Sequence, residues 1–150
     1  MTKKIGEGKI ALLIEDDTVH KKIVKMRLQM MGFIVVTTIH HREADEIISG
    51  GKQNHEIKFD LIVSDNNTYE KSYSDFIKHY KGINWIKKLR KSKTLNKNTP
   101  TILHTASKTP AKREKEALAA GADVFLHKVI PSDPDDAFLK AVQKAMSKRK

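Results

Sequence analysis

The sequence predicts a single α/β domain over residues 1–150: a five-stranded parallel sheet, doubly wound, with helices on both faces. Three observations predict it. Short apolar, β-branched runs alternate five times with segments of helical spacing, as strands and crossover helices do in parallel sheets. The runs are apolar rather than alternating, which suits strands covered on both faces. Each run ends on polar or charged residues, and in an open parallel sheet those ends share the edge where ligands bind. A chain of 150 residues is long enough to bury a core of its own without disulfides.

The first run, Ile10-Ala11-Leu12-Leu13-Ile14, ends on Glu15-Asp16-Asp17. A helix follows over 18–31, with Val19, Ile23, Val24, Met26, Leu28 and Met31 near helical spacing, Asp17 as N-cap and Gly32 as stop. The second run is Phe33 to Thr38, and a second helix over 43–49 is closed by Gly50-Gly51. His40-His41 reads as a solvated turn leading into it. A polar connection over 52–57 brings in the third run, Phe59 to Ser64, which stops at Asp65. Asp65 has two readings at this point: a site residue at the ligand edge, or the start of a turn continued by Asn66 and Asn67. The run alone leaves both open.

Residues 66–81 are the least regular segment, with Tyr69, Tyr73, Phe76 and Tyr80 among Lys, Ser and Asp. They are expected to form a long loop or to contain a helical turn, and loops of this length are often functional. Gly82 then introduces a helix in which Ile86 and Leu89 share a face and Trp85 is a core anchor. The fourth run, Pro100 to Thr105, is entered from the polar linker 93–99. Thr109 as N-cap and Pro110 at the first helical position open a helix to Ala120, stopped by Gly121. Asp123 to His127 is the fifth run and Lys128 follows it. Asp133, Pro134 and the acids Asp135 and Asp136 open a last helix that runs into a basic C-terminal end.

Composition narrows the function classes. With no cysteine there are no disulfides, thiol nucleophiles or thiolate metal sites, which fits a reducing compartment. The N-terminal residues carry charge without an apolar stretch, and no run approaches a membrane span, so a cytoplasmic protein is expected. The net charge of +11 raises the prospect of an anionic partner. The basic residues gather at Lys87, Lys88, Arg90, Lys91 and Lys93 and again at Lys144, Lys148, Arg149 and Lys150. A solvated helix face and a helix C-terminus account for both clusters, and no interleaved aromatics point to nucleic acid.

Parallel-sheet topology brings Glu15, Asp16, Asp65, Thr105 and Lys128 to one edge from five distant places in the chain. Clustered carboxylates repel one another and need a cation among them. Oxygen ligands of this kind suit Mg²⁺, which joins carboxylates to a phosphate oxygen. A carboxylate can itself attack phosphorus to give an aspartyl phosphate, and Asp65 is best placed to do so. Lys128 and Thr105 would then neutralise and hydrogen-bond the phosphoryl oxygens. In the bland alternative, Thr105 is merely a strand end and Lys128 a structural partner of Asp65.

With these residues in place the sequence resembles the receiver domain of two-component response regulators, of the single-domain, chemotaxis-regulator kind. Ala11 to Asp17 resembles the acidic-pair strand, with Glu15 and Asp16 as the pair. Phe59 to Asp65 resembles the phosphoacceptor strand, Thr101 to Ala106 the hydroxyl strand, and Gly121 to Lys128 the lysine strand. The likeness spans about 9–147, with 66–81 as an insertion. It implies a flavodoxin-like strand order of 2-1-3-4-5, Mg²⁺ dependence, and a histidine kinase or histidine phosphotransfer protein as donor. By position, Asn67 would offer a backbone carbonyl to the metal, and Phe125 would be the switch aromatic answering Thr105. Asn67 and Ser107 sit where the family tunes the lifetime of the phosphorylated state.

The sequence departs from the family in three places. No Met-Pro follows Asp65, and Gly82 comes 17 positions later, beyond the family's usual spacing. Val129 stands where the family has a proline after the lysine. His104 and His127 precede Thr105 and Lys128 where apolar residues are usual, and are expected as satisfied semi-core residues. The expected function is that of a phosphoacceptor receiver whose output is contact with a downstream protein, without a DNA-binding output domain. The alternatives are a degenerate receiver that binds a partner without being phosphorylated, and a nucleic-acid binder using the basic surface.

Overall fold

The computed structural model of the chain describes residues 3–51, 55–71, 77–128 and 135–149. In chain order the elements are β1 (Ile10–Ile14), α1 (Thr18–Met30), β2 (Ile34–Thr38), α2 (His41–Ile48), β3 (Leu61–Ser64), β4 (Asn67–Lys71), β5 (Ile77–Lys81), α3 (Gly82–Lys91), β6 (Thr101–Thr105), α4 (Pro110–Ala120), β7 (Val124–His127) and α5 (Asp135–Lys148). Five strands form one sheet in the order β2-β1-β3-β6-β7, all parallel. Counting only its own members, this sheet has the flavodoxin-like order 2-1-3-4-5 that the family resemblance implied.

The apolar runs divide between two layers because successive strand residues face opposite sides. Ala11, Leu13, Leu61, Val63, Ile102 and Val124 pack with Val24 and Leu28 of α1 and with Phe138, Val142 and Ala145 of α5. Leu12, Ile14, Ile62 and Leu103 pack on the other side with Ala44 and Ile48 of α2, Trp85, Ile86 and Leu89 of α3, and Ala117 of α4. Every residue of β3 and of β6 is buried, as strands covered on both faces require. Burying a large apolar side chain such as Phe59 or Phe138, each 0% exposed, contributes about 1.5–3 kcal/mol. Trp85 is buried as expected, and its indole N–H donates to Asp45 Oδ1 at 2.7 Å, so the anchor also ties α3 to α2.

Local signals set the helix ends. Asp17 is extended and its carboxylate accepts the His20 N–H at 2.9 Å, capping α1 and holding its own pKa below the usual carboxylate range. Gly121 ends α4 in the left-handed region at φ 112°, and a Cβ there would meet Arg90 Cγ at 2.6 Å. The Arg90 guanidinium, so seated, donates to the Gly121 carbonyl and pairs with Asp123, which also takes the Thr101 N–H and Arg149. These contacts lock the strand-entry end of the sheet. Thr109 is the N-cap residue of α4 without a side-chain cap bond, while Asp133 and Pro134 lie outside the described residues.

Two expectations are corrected. The described residues of the 66–81 segment are not a plain loop: β4 and β5 pair antiparallel as a second, two-stranded sheet, from Asn67 opposite Lys81 to Lys71 opposite Ile77, while 72–76 lie outside the described residues. Its Tyr and Ile content suits strands, a preference hidden by the interspersed polar residues. The His40-His41 pair is not a solvated turn. His40 is the N-cap of α2, its Nδ1 accepting the Glu43 N–H at 3.1 Å, and His41, 0% exposed, is the first helical residue.

Candidate functional site

β1 and β3 are neighbours, with Ile14 opposite Ser64, so the residues just past them, Glu15 and Asp65, emerge side by side. The Asp65 N–H donates to the Ile14 carbonyl and the Glu15 N–H to that of Thr38, which carries the ladder to the point where the acids begin. On the other flank β6 and β7 pair, and the Lys128 N–H donates to the Thr105 carbonyl at 2.9 Å. The sheet therefore delivers Glu15, Asp16, Asp65, Thr105 and Lys128 to one edge, as the sequence predicted.

Glu15, Asp16 and Asp65 each present a carboxylate oxygen, all within 4.8 Å of one another. The Lys128 ammonium reaches in at 2.5 Å from Glu15 Oε1 and 3.5 Å from Asp65 Oδ2. Asp65 Oδ1 accepts its neighbour Asn66 N–H at 2.7 Å. The Thr105 hydroxyl is buried and faces two acceptors, the Asp65 carboxylate and, at a stretched 3.4 Å, the Ala106 carbonyl. Its charge makes the Asp65 carboxylate the stronger acceptor of the two.

Protonation is divided unequally between the two buried acids. Burial, then the negative charge of Asp65 and a hydrogen bond the pair can share only when Glu15 is protonated, push Glu15 up to about 8 against the pull of Lys128. For Asp65 burial acts upward too, but Lys128, Glu15, Thr105 and the Asn66 N–H outweigh it, and its pKa lies below the usual carboxylate value. Burial would lower Lys128, but the two carboxylates raise it, so it stays cationic. The pair thus keeps Asp65 ionised at neutral pH, the state a nucleophile needs.

Glu15 Oε2 is buried and has no hydrogen-bond donor. A buried carboxylate oxygen without a partner is costly, and it lies in a group of three acids with metal-ligand spacing. Two things relieve it: a proton or a cation. The all-oxygen donor set fits a hard divalent ion.

Asn67 opens β4 two residues past Asp65, opposite Lys81. Phe125, on β7 opposite Leu103, is half-buried against the α2–α3–α4 layer. His104 is buried, edge-on to Phe138 at 6.0 Å between ring centres, and His127 meets the Ser107 carbonyl at 3.1 Å. Both are thus engaged in packing or backbone contacts.

Sequence reasoning missed three supporting residues. Asn66 is buried, and its Oδ1 accepts the Ile83 N–H at 3.0 Å while its carbonyl accepts the Gly82 N–H at 2.7 Å, capping α3 and closing the base of the hairpin. Ser64 Oγ donates to the Asp65 carbonyl at 2.7 Å, and His41 Nε2 lies 2.7 Å from Ser64 Oγ. Burial holds the His41 imidazole at a pKa of about 4, and Trp85 packs on it at 5.4 Å between ring centres. The signal available for His41 was its place directly before the Glu43–Ala44 helix pattern, where a polar ring next to apolar neighbours reads equally well as surface.

The sequence matches the response regulator receiver domain family over residues 11–142. No curated protein matches the chain in sequence. In structure the chain is similar to chemotaxis response regulator CheY4 of Vibrio cholerae, with a TM-score of 0.67 and 26% identity over 91% of this chain and 98% of that one. It is also similar in fold to the signal receiver domain of a signal transduction histidine kinase from Syntrophus aciditrophicus, with a TM-score of 0.71 and 23% identity over 95% and 92% of the two chains. A third likeness of fold is to response regulator Rcp1 in its Mn²⁺-bound form, with a TM-score of 0.68 and 16% identity over 89% and 88%.

Proposed function

Because the chain belongs to the response regulator receiver domain family, we propose that Asp65 accepts a phosphoryl group from a phosphohistidine and that the modified protein signals by contact with another protein. In that step the carboxylate oxygen of Asp65 forms a bond to phosphorus while the phosphorus–nitrogen bond of the donor breaks, and the donor imidazole leaves with the electron pair. Asp65 is held ionised for attack, Lys128 neutralises a phosphoryl oxygen, and the Thr105 hydroxyl, released from the Asp65 carboxylate, donates to another. Glu15, Asp16 and Asp65, with the Asn67 carbonyl, would hold Mg²⁺, which would supply the remaining charge neutralisation. That Rcp1 has a Mn²⁺-bound form supports a divalent ion in this fold.

The observation that carries this reading is the donor-less Glu15 Oε2 beside a lysine that reaches both Glu15 and Asp65. The intact acid trio favours an active receiver over a degenerate one, which would have no use for so unfavourable a cluster. Response through Phe125 would follow the movement of Thr105, by packing alone since Phe lacks a hydroxyl. Among the described residues no helix is long and apolar enough to cross a membrane. Acetyl phosphate or beryllofluoride with Mg²⁺, followed by intact mass or amide NMR shifts, tests the proposal. A response in wild type that vanishes in Asp65→Asn is expected; an unresponsive wild type, or an unchanged response in the variant, refutes it.

A further inference from the structure

The end of the sheet opposite the acidic edge carries a broad groove of about 690 Å³. It lies where β1, β3 and β6 begin, between the N-terminal segment and the last turns of α5. Lys3, Lys4, Lys9, Lys58 and Arg149 line it beside one acid, Asp60; of these cations Arg149 is already paired with Asp123, and the Lys9 ammonium donates to the Ile5 carbonyl. That acid is already engaged: its Oδ2 accepts the Ile10 N–H at 2.9 Å. Ile5, Pro100 and Met146 supply an apolar surface between the cations.

We propose that this groove binds a phosphorylated small molecule of nucleotide size. Its volume lies within the roughly 300–1,000 Å³ range of small-molecule sites. With Arg149 held by Asp123, the four lysines around the concavity still outnumber Asp60, and a multiply charged phosphate matches that excess of positive charge better than a single carboxylate. The apolar surface fits the face of a planar base, which a bare phosphate would leave unused. Lys58 adds a second indication: its ammonium donates to Thr99 Oγ1 at 2.8 Å and to the Phe59 carbonyl at 3.0 Å, which fixes its position at the groove. Burial acts to lower its pKa, a penalty that a bound anion would relieve. Nothing in this proposal depends on phosphorylation of Asp65, since groove and acidic edge occupy opposite ends of the same strands.

The test is an amide NMR and calorimetric titration of the full chain with ATP, ADP, pyrophosphate and adenosine, in EDTA so that no metal recruits phosphate to the acidic edge. ATP and ADP should shift resonances of Ile5, Asn98 and Met146, pyrophosphate should bind at least threefold more weakly, and adenosine should not bind. The surface variant Lys3→Glu/Lys4→Glu, at two exposed positions, should weaken ATP at least tenfold while its circular dichroism and melting temperature stay near wild type; Asp65→Asn should leave ATP affinity unchanged. No shift at millimolar ATP overturns the proposal, as does equal affinity in the charge-reversed variant. Binding of a short single-stranded oligonucleotide with steep salt dependence, in the absence of any mononucleotide binding, also overturns it in favour of a nucleic-acid surface.

Discussion

Replacing Glu15 by Gln should stabilise the metal-free protein while weakening its hold on a divalent ion. Glu15 has a folded-state pKa of about 8 against an ordinary value of 4.5, so the folded state binds a proton that the unfolded chain releases. A pKa raised on folding gives stability that is complete below the unfolded value and lost as pH rises through the folded one. At pH 7 the loss is about 3 kcal/mol, and at pH 5 it is below about 1 kcal/mol. Gln is close to isosteric with Glu. Its carbonyl can accept from Lys128 as Oε1 does, and its amide N–H₂ can occupy the place of the donor-less Oε2 and face Asp65. Denaturant unfolding in EDTA should therefore show Glu15→Gln more stable than wild type by up to about 3 kcal/mol at pH 7, with the gap nearly closed at pH 5. Added Mg²⁺ should reverse the order, because a ligand that binds the folded state stabilises it in proportion to the logarithm of its concentration over Kd. A variant less stable than wild type at pH 7 without metal, or a difference that does not change with pH, would refute the reasoning.

Three further outcomes are expected. His41 has its pKa lowered to about 4, so folding excludes its charged form; stability is unaffected above pH 6.5 and falls as pH drops towards 4, by about 3 kcal/mol in full. His41→Asn should flatten that part of the acid limb in urea titrations at pH 7 and 4.5; parallel losses in the two proteins would exclude His41 as the source. Gly82→Ala would put a Cβ 2.5 Å from the Asp65 carbonyl oxygen and 3.1 Å from Asn66 Cα. It should destabilise by about 1–3 kcal/mol in thermal melts and slow acetyl-phosphate labelling, since the backbone that must yield carries Asp65. Asp123→Asn removes the charge paired with Arg90, whose side chain is only 12% exposed, and should destabilise by about 3 kcal/mol, leaving Mg²⁺ affinity near wild type because Asp123 precedes β7 at the far end of the sheet.

The sheet was legible because burial on both faces leaves a plain signature. Leu12 and Leu13 point to different layers, yet both must be apolar, so the run reads as a strand whichever face is considered. The site was legible for a related reason: carboxylates, a hydroxyl and a lysine directly after such runs have no packing role there, and parallel topology sends them to one place. What escaped was whatever depends on a partner far away in sequence. His41 is polar and borders a helix start, and nothing near it in the chain says that Ser64 and Trp85 will enclose it. Asn66 looked like a turn residue, and it became a cap only because α3 begins 16 positions later beside it.

The insertion shows most clearly why spacing along the chain is a poor guide to a site. Seventeen positions separate Asp65 from Gly82, a gap that in sequence suggests a rebuilt active-site loop. In space the excursion closes on itself: the Gly82 N–H returns to the Asn66 carbonyl, and β4 and β5 satisfy each other's backbone groups from Asn67 opposite Lys81 onwards. A hairpin whose ends meet adds residues without moving its attachment points, so α3 starts in contact with the end of β3 and Trp85 still reaches the core. The close approach that makes this possible is also why position 82 is glycine: a Cβ there would press on the Asp65 carbonyl, the atom that Ser64 holds from the other side.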